Sequence, residues 1–204
     1  MSRLRIAVSQ RRDAVAGRDE VRDGLDVRLA GLLWEYGFLP LPLPSGVAEP
    51  DAYLAAVVPD GVLLSGGNDI GTAPARDRLE QAALAHAAKH GLPLLGLCRG
   101  MQMLNHFQGG ALRSVPGHTA VRHLVGGPLV GDGGREVNSY HDQGLLDSDL
   151  GDELEAVAWA GDGVVEAVRH RRLPWLGIMW HPERDAPVAP DDRELITRHF
   201  LESP

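Results

Sequence analysis

Cys98 is the only cysteine in a chain of 204 residues. It sits in the frame Gly96-Leu97-Cys98-Arg99-Gly100, between the apolar run 92–97 and Met101, Met103, Leu104 and Phe107 at helical spacing. A buried strand that turns through glycines into a helix presents one side chain, so this frame is the thiol counterpart of a nucleophile elbow. A thiol attacks as thiolate, and a helix N-terminus favours negative charge there. The Arg99 amide points the same way and is a candidate oxyanion donor. His181-Pro182-Glu183 closes a later apolar run. Residues two apart in an extended chain face one side, so His181 can act as base and Glu183 can orient it. Ser65-Gly66-Gly67 follows another apolar run, where the Gly67 amide is a candidate second oxyanion donor. Each signal alone has a bland counterpart. A lone cysteine is most often a small buried hydrophobe; the H-P-E triplet arises by chance; Gly-Gly is an ordinary turn. Together in one chain they favour the chemistry.

The elements that must position these groups read as follows. Residues 4–9 form a first strand, 10–19 a polar loop and 21–36 a helix with Leu25, Leu29, Leu32 and Leu33 on one face. Residues 38–44 alternate with proline and suit an edge strand. A short helix over 51–58, a buried strand over 61–64 and an alanine-rich helix over 77–89 lead to the elbow strand 92–97. Beyond Gly110 the spacing predicts hairpins through 112–149, with turns at Gly126-Gly127 and Asp132-Gly133-Gly134. A strand pair 153–159 and 164–169 turns at Gly161-Asp162-Gly163, and a strand over 176–180 precedes a closing helix over 191–201. Strand–helix alternation followed by hairpins implies one α/β domain over 1–204, with a mostly parallel central sheet flanked by helices and antiparallel additions in the C-terminal half.

Composition sets the class. The chain is 44% hydrophobic and 24% charged, with a formal net charge of −8. That suits one domain with a sizeable core and argues against nucleic acid or an anionic membrane as partner. No apolar stretch is long enough to span a bilayer, and the opening run is too short for a signal peptide. A single cysteine excludes an intrachain disulfide, so the cytoplasm is the expected compartment. No tight ligand spacing links His118, His123 and His141. For each, a satisfied polar histidine and a functional one stand about even, and metal binding is open without a ligand spacing to support it; neither metal nor cofactor is expected.

The combination S-G-G-N-D, G-L-C-R-G-M-Q and H-P-E resembles the class I glutamine amidotransferase superfamily. Within it, the combination resembles more closely the free-standing branch of γ-glutamyl hydrolases, the γ-glutamyl-γ-aminobutyrate hydrolase family. Arg76-Asp77 with Glu80, Gly109-Gly110, the stretch G-H-T-A-V-R-H and Val137-Asn138-Ser139-Tyr140-His141 carry the same likeness. The resemblance implies a flavodoxin-like sheet, a Cys98-His181-Glu183 triad and a covalent γ-glutamyl thioester. It further implies that Gly66, Gln102, Asn138, Ser139, Tyr140 and His141 line the glutamyl pocket. Longer family members carry an extended segment where only residues 70–75 stand here. The compact form and the opening Ile6-Ala7-Val8-Ser9-Gln10-Arg11 resemble hydrolases that remove γ-glutamyl from a cytidine-diphosphate-linked amidate in surface-polysaccharide synthesis.

The first hypothesis is therefore a stand-alone hydrolase acting on a small-molecule γ-glutamyl amide. The second is a glutaminase subunit that passes ammonia to a synthetase partner. A catalytically silent binding module ranks last, because all three triad residue types are present. The identity of the leaving group is open, and a homodimer is left open. Arg11 and Arg12, on the loop after the first strand, suit phosphate oxygens of a nucleotide leaving group, although Asp13 and Asp19 lie close enough to pair with them.

Overall fold

The computed structural model describes residues 3–202. The first half runs β1 (Arg5–Val8), β2 (Arg11–Ala14), β3 (Val21–Gly24), α1 (Val27–Glu35), β4 (Leu39–Pro42), α2 (Pro50–Val57), β5 (Gly61–Leu64), α3 (Pro74–His90), β6 (Leu94–Leu97) and α4 (Arg99–Phe107). The second half adds β7 (Arg113–Ser114), β8 (Thr119–Gly127), β9 (Gly131–Tyr140), β10 (Gln143–Gly144), β11 (Leu154–Ala160), β12 (Val165–His170), β13 (Trp175–Ile178) and α5 (Pro190–Leu201). Nine strands form one sheet in the order β4-β1-β5-β6-β13-β12-β11-β8-β9. From β4 to β13 the neighbours pair parallel; from β13 outward they pair antiparallel. This is the expected α/β architecture, a largely parallel centre with hairpins added on one side.

Side chains alternate between the two faces of the sheet. Ile6, Val8, Leu63, Leu95 and Leu97 meet Leu29, Leu32 and Leu33 of α1 and Ile196 and Phe200 of α5. Ala7, Val62, Leu64 and Leu94 meet Leu54 of α2, Leu79, Ala83, Leu84 and Ala87 of α3 and Met101 and Leu104 of α4. Helices therefore cover both faces, and the four-residue strands β5 and β6 are buried throughout. β4 lies on the sheet edge as expected. The Leu39 and Leu43 amides donate to Leu4 and Val8 carbonyls. Pro40 and Pro42, which have no N–H to give, fall between these donors.

Two expectations fail locally. Residues 10–19 and the start of the predicted 21–36 helix form a hairpin instead, with Arg11 opposite Gly24 and Ala14 opposite Val21. Gly24 and the capping Asp26, whose Oδ1 accepts from the Arg28 amide at 2.9 Å, delay the helix to Val27. Asp132-Gly133-Gly134 lies inside β9 rather than in a turn. Gly134 adopts φ +62°, and a Cβ there would sit 2.9 Å from the Val125 carbonyl oxygen of the paired strand. The glycine run serves close strand approach in this case. The β11–β12 turn falls where expected, with Gly163 at φ +88°. Among the described residues, no helix is long and apolar enough to cross a membrane.

Candidate active site

β5, β6 and β13 are adjacent and parallel, so the segments that leave their carboxyl ends converge. Ser65-Gly66-Gly67 leaves β5, Cys98 leaves β6, and His181 follows β13. Cys98 takes φ +50°, ψ −105°, a strained backbone for a residue with a side chain. Its amide donates to the Ile178 carbonyl at 2.7 Å, which anchors the turn to β13. The flanking glycines let the helix lie directly on the strands. A Cβ on Gly100 would meet the Leu64 carbonyl oxygen at 2.1 Å, and one on Gly96 would meet the Gly100 carbonyl carbon at 2.6 Å.

His181 is buried, and its Nδ1 lies 2.7 Å from Glu183 Oε1. The pair forms within a 3-10 turn at Pro182–Arg184, where an extended chain was expected, and the tight turn still brings both side chains to one side. Glu183 occupies Nδ1 and leaves Nε2 for the thiol. Burial lowers the His181 pKa, but the facing Cys98 and Glu183 outweigh it and hold it up at about 9. Gly66 is the floor under this imidazole: a Cβ there would sit 2.6 Å from His181 Cε1. Gly66 thus makes room for the histidine, beyond any contact it makes to a substrate.

The Ser65-Gly66-Gly67 loop is gripped from behind by Arg76 of α3, which has no exposed surface. Its guanidinium donates to the Ser65, Gly66 and Gly67 carbonyls at 2.6, 3.1 and 2.9 Å. Carbonyl and N–H point in opposite directions across a trans peptide. Turning the Gly66 carbonyl toward Arg76 therefore turns the Gly67 N–H away from it. Arg76 also donates to Glu80 at 2.9 Å, and Glu80 and Asp77 both pair with the Arg99 guanidinium. Arg99 further donates to the Asn68 carbonyl at 2.9 Å. Burial lowers both arginines, Arg76 to about 10 and Arg99 to about 9. The Arg99 side chain thus braces the loop from the rear while its amide stays at the elbow. Arg76, Asp77 and Glu80 carry no local spacing that reveals this clamp in the sequence, because its acceptors are backbone carbonyls of a separate loop.

The remaining expected residues separate into different roles. Gln102 sits one helical turn beyond Cys98, its amide donating to the Cys98 carbonyl at 3.1 Å. It lines a cavity of about 320 Å3 with Asp69, Ile70, His106 and Gln143. Asn138 grips His181 on both sides: its Oδ1 accepts from the His181 amide at 2.9 Å and its Nδ2 donates to the His181 carbonyl at 2.8 Å. Its side-chain amide is committed to the His181 backbone. Ser139 Oγ donates to the His118 carbonyl at 2.6 Å inside the protein. Tyr140 is exposed, its ring 6.1 Å from that of His181 with Arg184 stacked on it. His141 turns inward toward Glu166, together with His118 and His123. The sequence reading missed Glu166 and the gathering of these histidines, since long segments of chain separate them. Arg11 packs beside Gly67 but pairs with Asp13 at 2.8 Å. Arg12 and Arg78 line a separate cleft of about 470 Å3 between the β2–β3 hairpin and residues 72–75. A further cavity, about 690 Å3, lies at the other end of β13 beside Trp175 and Arg198. None of the groups around Cys98 lines it.

The family described as glutamine amidotransferase class-I matches residues 42–203. The gamma-glutamyl-CDP-amidate hydrolase of Campylobacter jejuni is 31% identical over 154 residues, covering 72% of this chain and 72% of that protein. The gamma-glutamyl-gamma-aminobutyrate hydrolase PuuD of Escherichia coli is 30% identical over 192 residues, covering 72% of this chain and 73% of that protein. A crystal structure of a glutamine amidotransferase from Thermotoga maritima superposes with a TM-score of 0.66 at 14% identity, over 98% of this chain and 84% of that one.

Proposed function

The chain belongs to the class-I glutamine amidotransferase family, an enzyme family acting on amide C–N bonds, and from that premise we propose that it hydrolyses a γ-glutamyl amide through a thioester on Cys98. Cys98 Sγ, its proton passed to His181 Nε2, attacks the γ-carbonyl carbon, and the Gly67 and Arg99 amides receive the developing oxyanion. His181 gives its proton to the departing nitrogen as the C–N bond breaks, leaving an acyl-enzyme. It then takes a proton from water, which attacks the thioester carbonyl, and returns it to Cys98 Sγ as the C–S bond breaks and glutamate leaves. Glu183 holds the imidazole orientation throughout. The observation that carries this reading is the strained elbow of Cys98, facing a histidine whose other nitrogen is held by Glu183. Acid-quenched turnover followed by mass spectrometry should find a glutamyl adduct on the Cys98 peptide. Full activity in Cys98→Ser would sink the mechanism.

The stand-alone reading is preferred to an ammonia-supplying subunit, and the two relatives named as hydrolases support it. Turnover of γ-glutamyl amides by the isolated chain is the discriminator. Slow turnover that rises only with a synthetase present would establish the glutaminase alternative. For the leaving group, a phosphate-bearing nucleotide is proposed. Arg11 is already paired with Asp13, so Arg12 and Arg78 in the neighbouring cleft are the better phosphate readers. Replacing either with alanine should raise KM for a γ-glutamyl nucleotide amidate about tenfold, the scale of one charge-assisted hydrogen bond. Hydrolysis of an uncharged γ-glutamyl anilide should stay unchanged. Equal effects on both substrates would return the proposal to a small γ-glutamyl amine.

A further inference from the structure

We propose that His118, His141 and Glu166, with His123 beside them, form a buried binding site for a zinc-like divalent cation. Glu166 of β12 has no exposed surface, and His118 and His141 are buried with it. His118 Nδ1, His123 Nε2 and His141 Nε2 lie 3.3, 3.4 and 3.4 Å from one oxygen, Glu166 Oε1. These three nitrogens and both Glu166 oxygens are buried atoms without a hydrogen-bond partner. The His118, His141 and Glu166 donor atoms all fall within 4.8 Å of one another. Zinc bound to nitrogen and oxygen at about 2.0–2.1 Å in a tetrahedron places its ligands about 3.3–3.4 Å apart. The three edges that meet at Glu166 Oε1 have that length.

The outer nitrogens support the same assignment. His118 Nε2 lies 2.9 Å from the Asp162 carboxylate, and His141 Nδ1 lies 3.1 Å from the Gln143 carbonyl. Acceptors there hold the proton on the outer nitrogen and leave a lone pair on the inner one, the arrangement around metal-ligating histidines. Two inward lone pairs and a carboxylate repel one another unless a proton or a metal cation lies between them. An ion there would join β12 to the His118 and His141 ends of β8 and β9. Ser139 and Asn138 of the same β9 segment reach His118 and His181 in turn. The site is separate from the Cys98 chemistry and stands whether or not the thioester mechanism holds.

The test uses the intact protein, stripped with a chelator, checked for its fold by circular dichroism and titrated with Zn2+ and with Co2+. One Zn2+ per chain is expected, Co2+ should give the visible absorption of a tetrahedral site, and Zn2+ should displace it. Zn2+ should also raise the melting temperature of the stripped protein. Glu166→Gln should abolish the Co2+ spectrum. Because that buried change can disturb folding, Asp162→Ala on the exposed outer shell provides the second variant. It should keep the circular dichroism and weaken Zn2+ about tenfold or more, as loss of an outer-shell partner does. Cys98→Ser should bind as the parent does. A folded, stripped protein that takes up neither ion would overturn the proposal, with protons then neutralising the cluster. Binding lost in Cys98→Ser but kept in Asp162→Ala would also overturn it, placing the metal on the thiol.

Discussion

His181 is held by three separate devices: Glu183 on its ring, Asn138 on its backbone, and the bare Gly66 beneath it. Its raised pKa links this geometry to pH. The value of about 9 in the folded chain lies above the unfolded 6.5. The stability it contributes is therefore fully present below about 6.5 and is lost as pH rises through about 9. If the protonated imidazole serves the leaving nitrogen, kcat/KM should decline on the alkaline side over the same range. Glu183→Gln removes one of the interactions that raise the value, so the alkaline limb should move toward neutral pH in a pH–rate profile. A limb that stays in place would mean Cys98 alone sets the His181 charge. The histidine and its carboxylate were legible in the sequence because H-P-E is local. The Asn138 grip was not, because a side-chain amide that bridges two distant segments leaves no local spacing.

At the level of elements, the site depends on glycines that keep segments close. Gly66→Ala places a methyl 2.6 Å from His181 Cε1 at a position whose backbone is ordinary. The ring must shift, and a displacement near 1 Å at a catalytic group costs about 100-fold in rate. We expect kcat to fall by about that factor while the melting temperature moves little. A variant with unchanged kcat would show that the ring has room to move without consequence. The elbow, both helices around it and the edge strand β4 were readable, since apolar runs and proline spacing act locally. The β2–β3 hairpin was not, because the helical leucine spacing of Leu25, Leu29, Leu32 and Leu33 begins directly after it and only the pairing of Arg11–Ala14 with Val21–Gly24 reveals the strands. The histidine cluster escaped for a different reason: β8, the end of β9 and β12 come together only through the sheet order.

Across the molecule, two buried charge networks tie the layers together. Arg76, Glu80, Asp77 and Arg99 join α3, α4 and the loop after β5. Asp192 of α5 accepts from Arg135 of β9 at 2.7 Å and from Trp180 at 2.9 Å, which closes the C-terminal helix onto the far hairpin. Glu80→Gln would leave two buried guanidinium groups facing one another with Asp77 as their remaining carboxylate. The cost should be about 3–5 kcal/mol, read as a lower urea midpoint. A loss under about 1 kcal/mol would mean that Asp77 and the loop carbonyls suffice for both arginines. The sheet order carries one more consequence. β13 slots between β6 and β12, so Cys98 and His181 follow adjacent strands whose ends, Leu97 and Ile178, are 81 residues apart in the chain. A ribosome moving at about 5–20 residues per second needs roughly 4 to 16 seconds to cover that distance. Through that interval the nascent chain carries Cys98 without His181, and in the proposed mechanism the thiol gains its base only when the last strand is threaded into place.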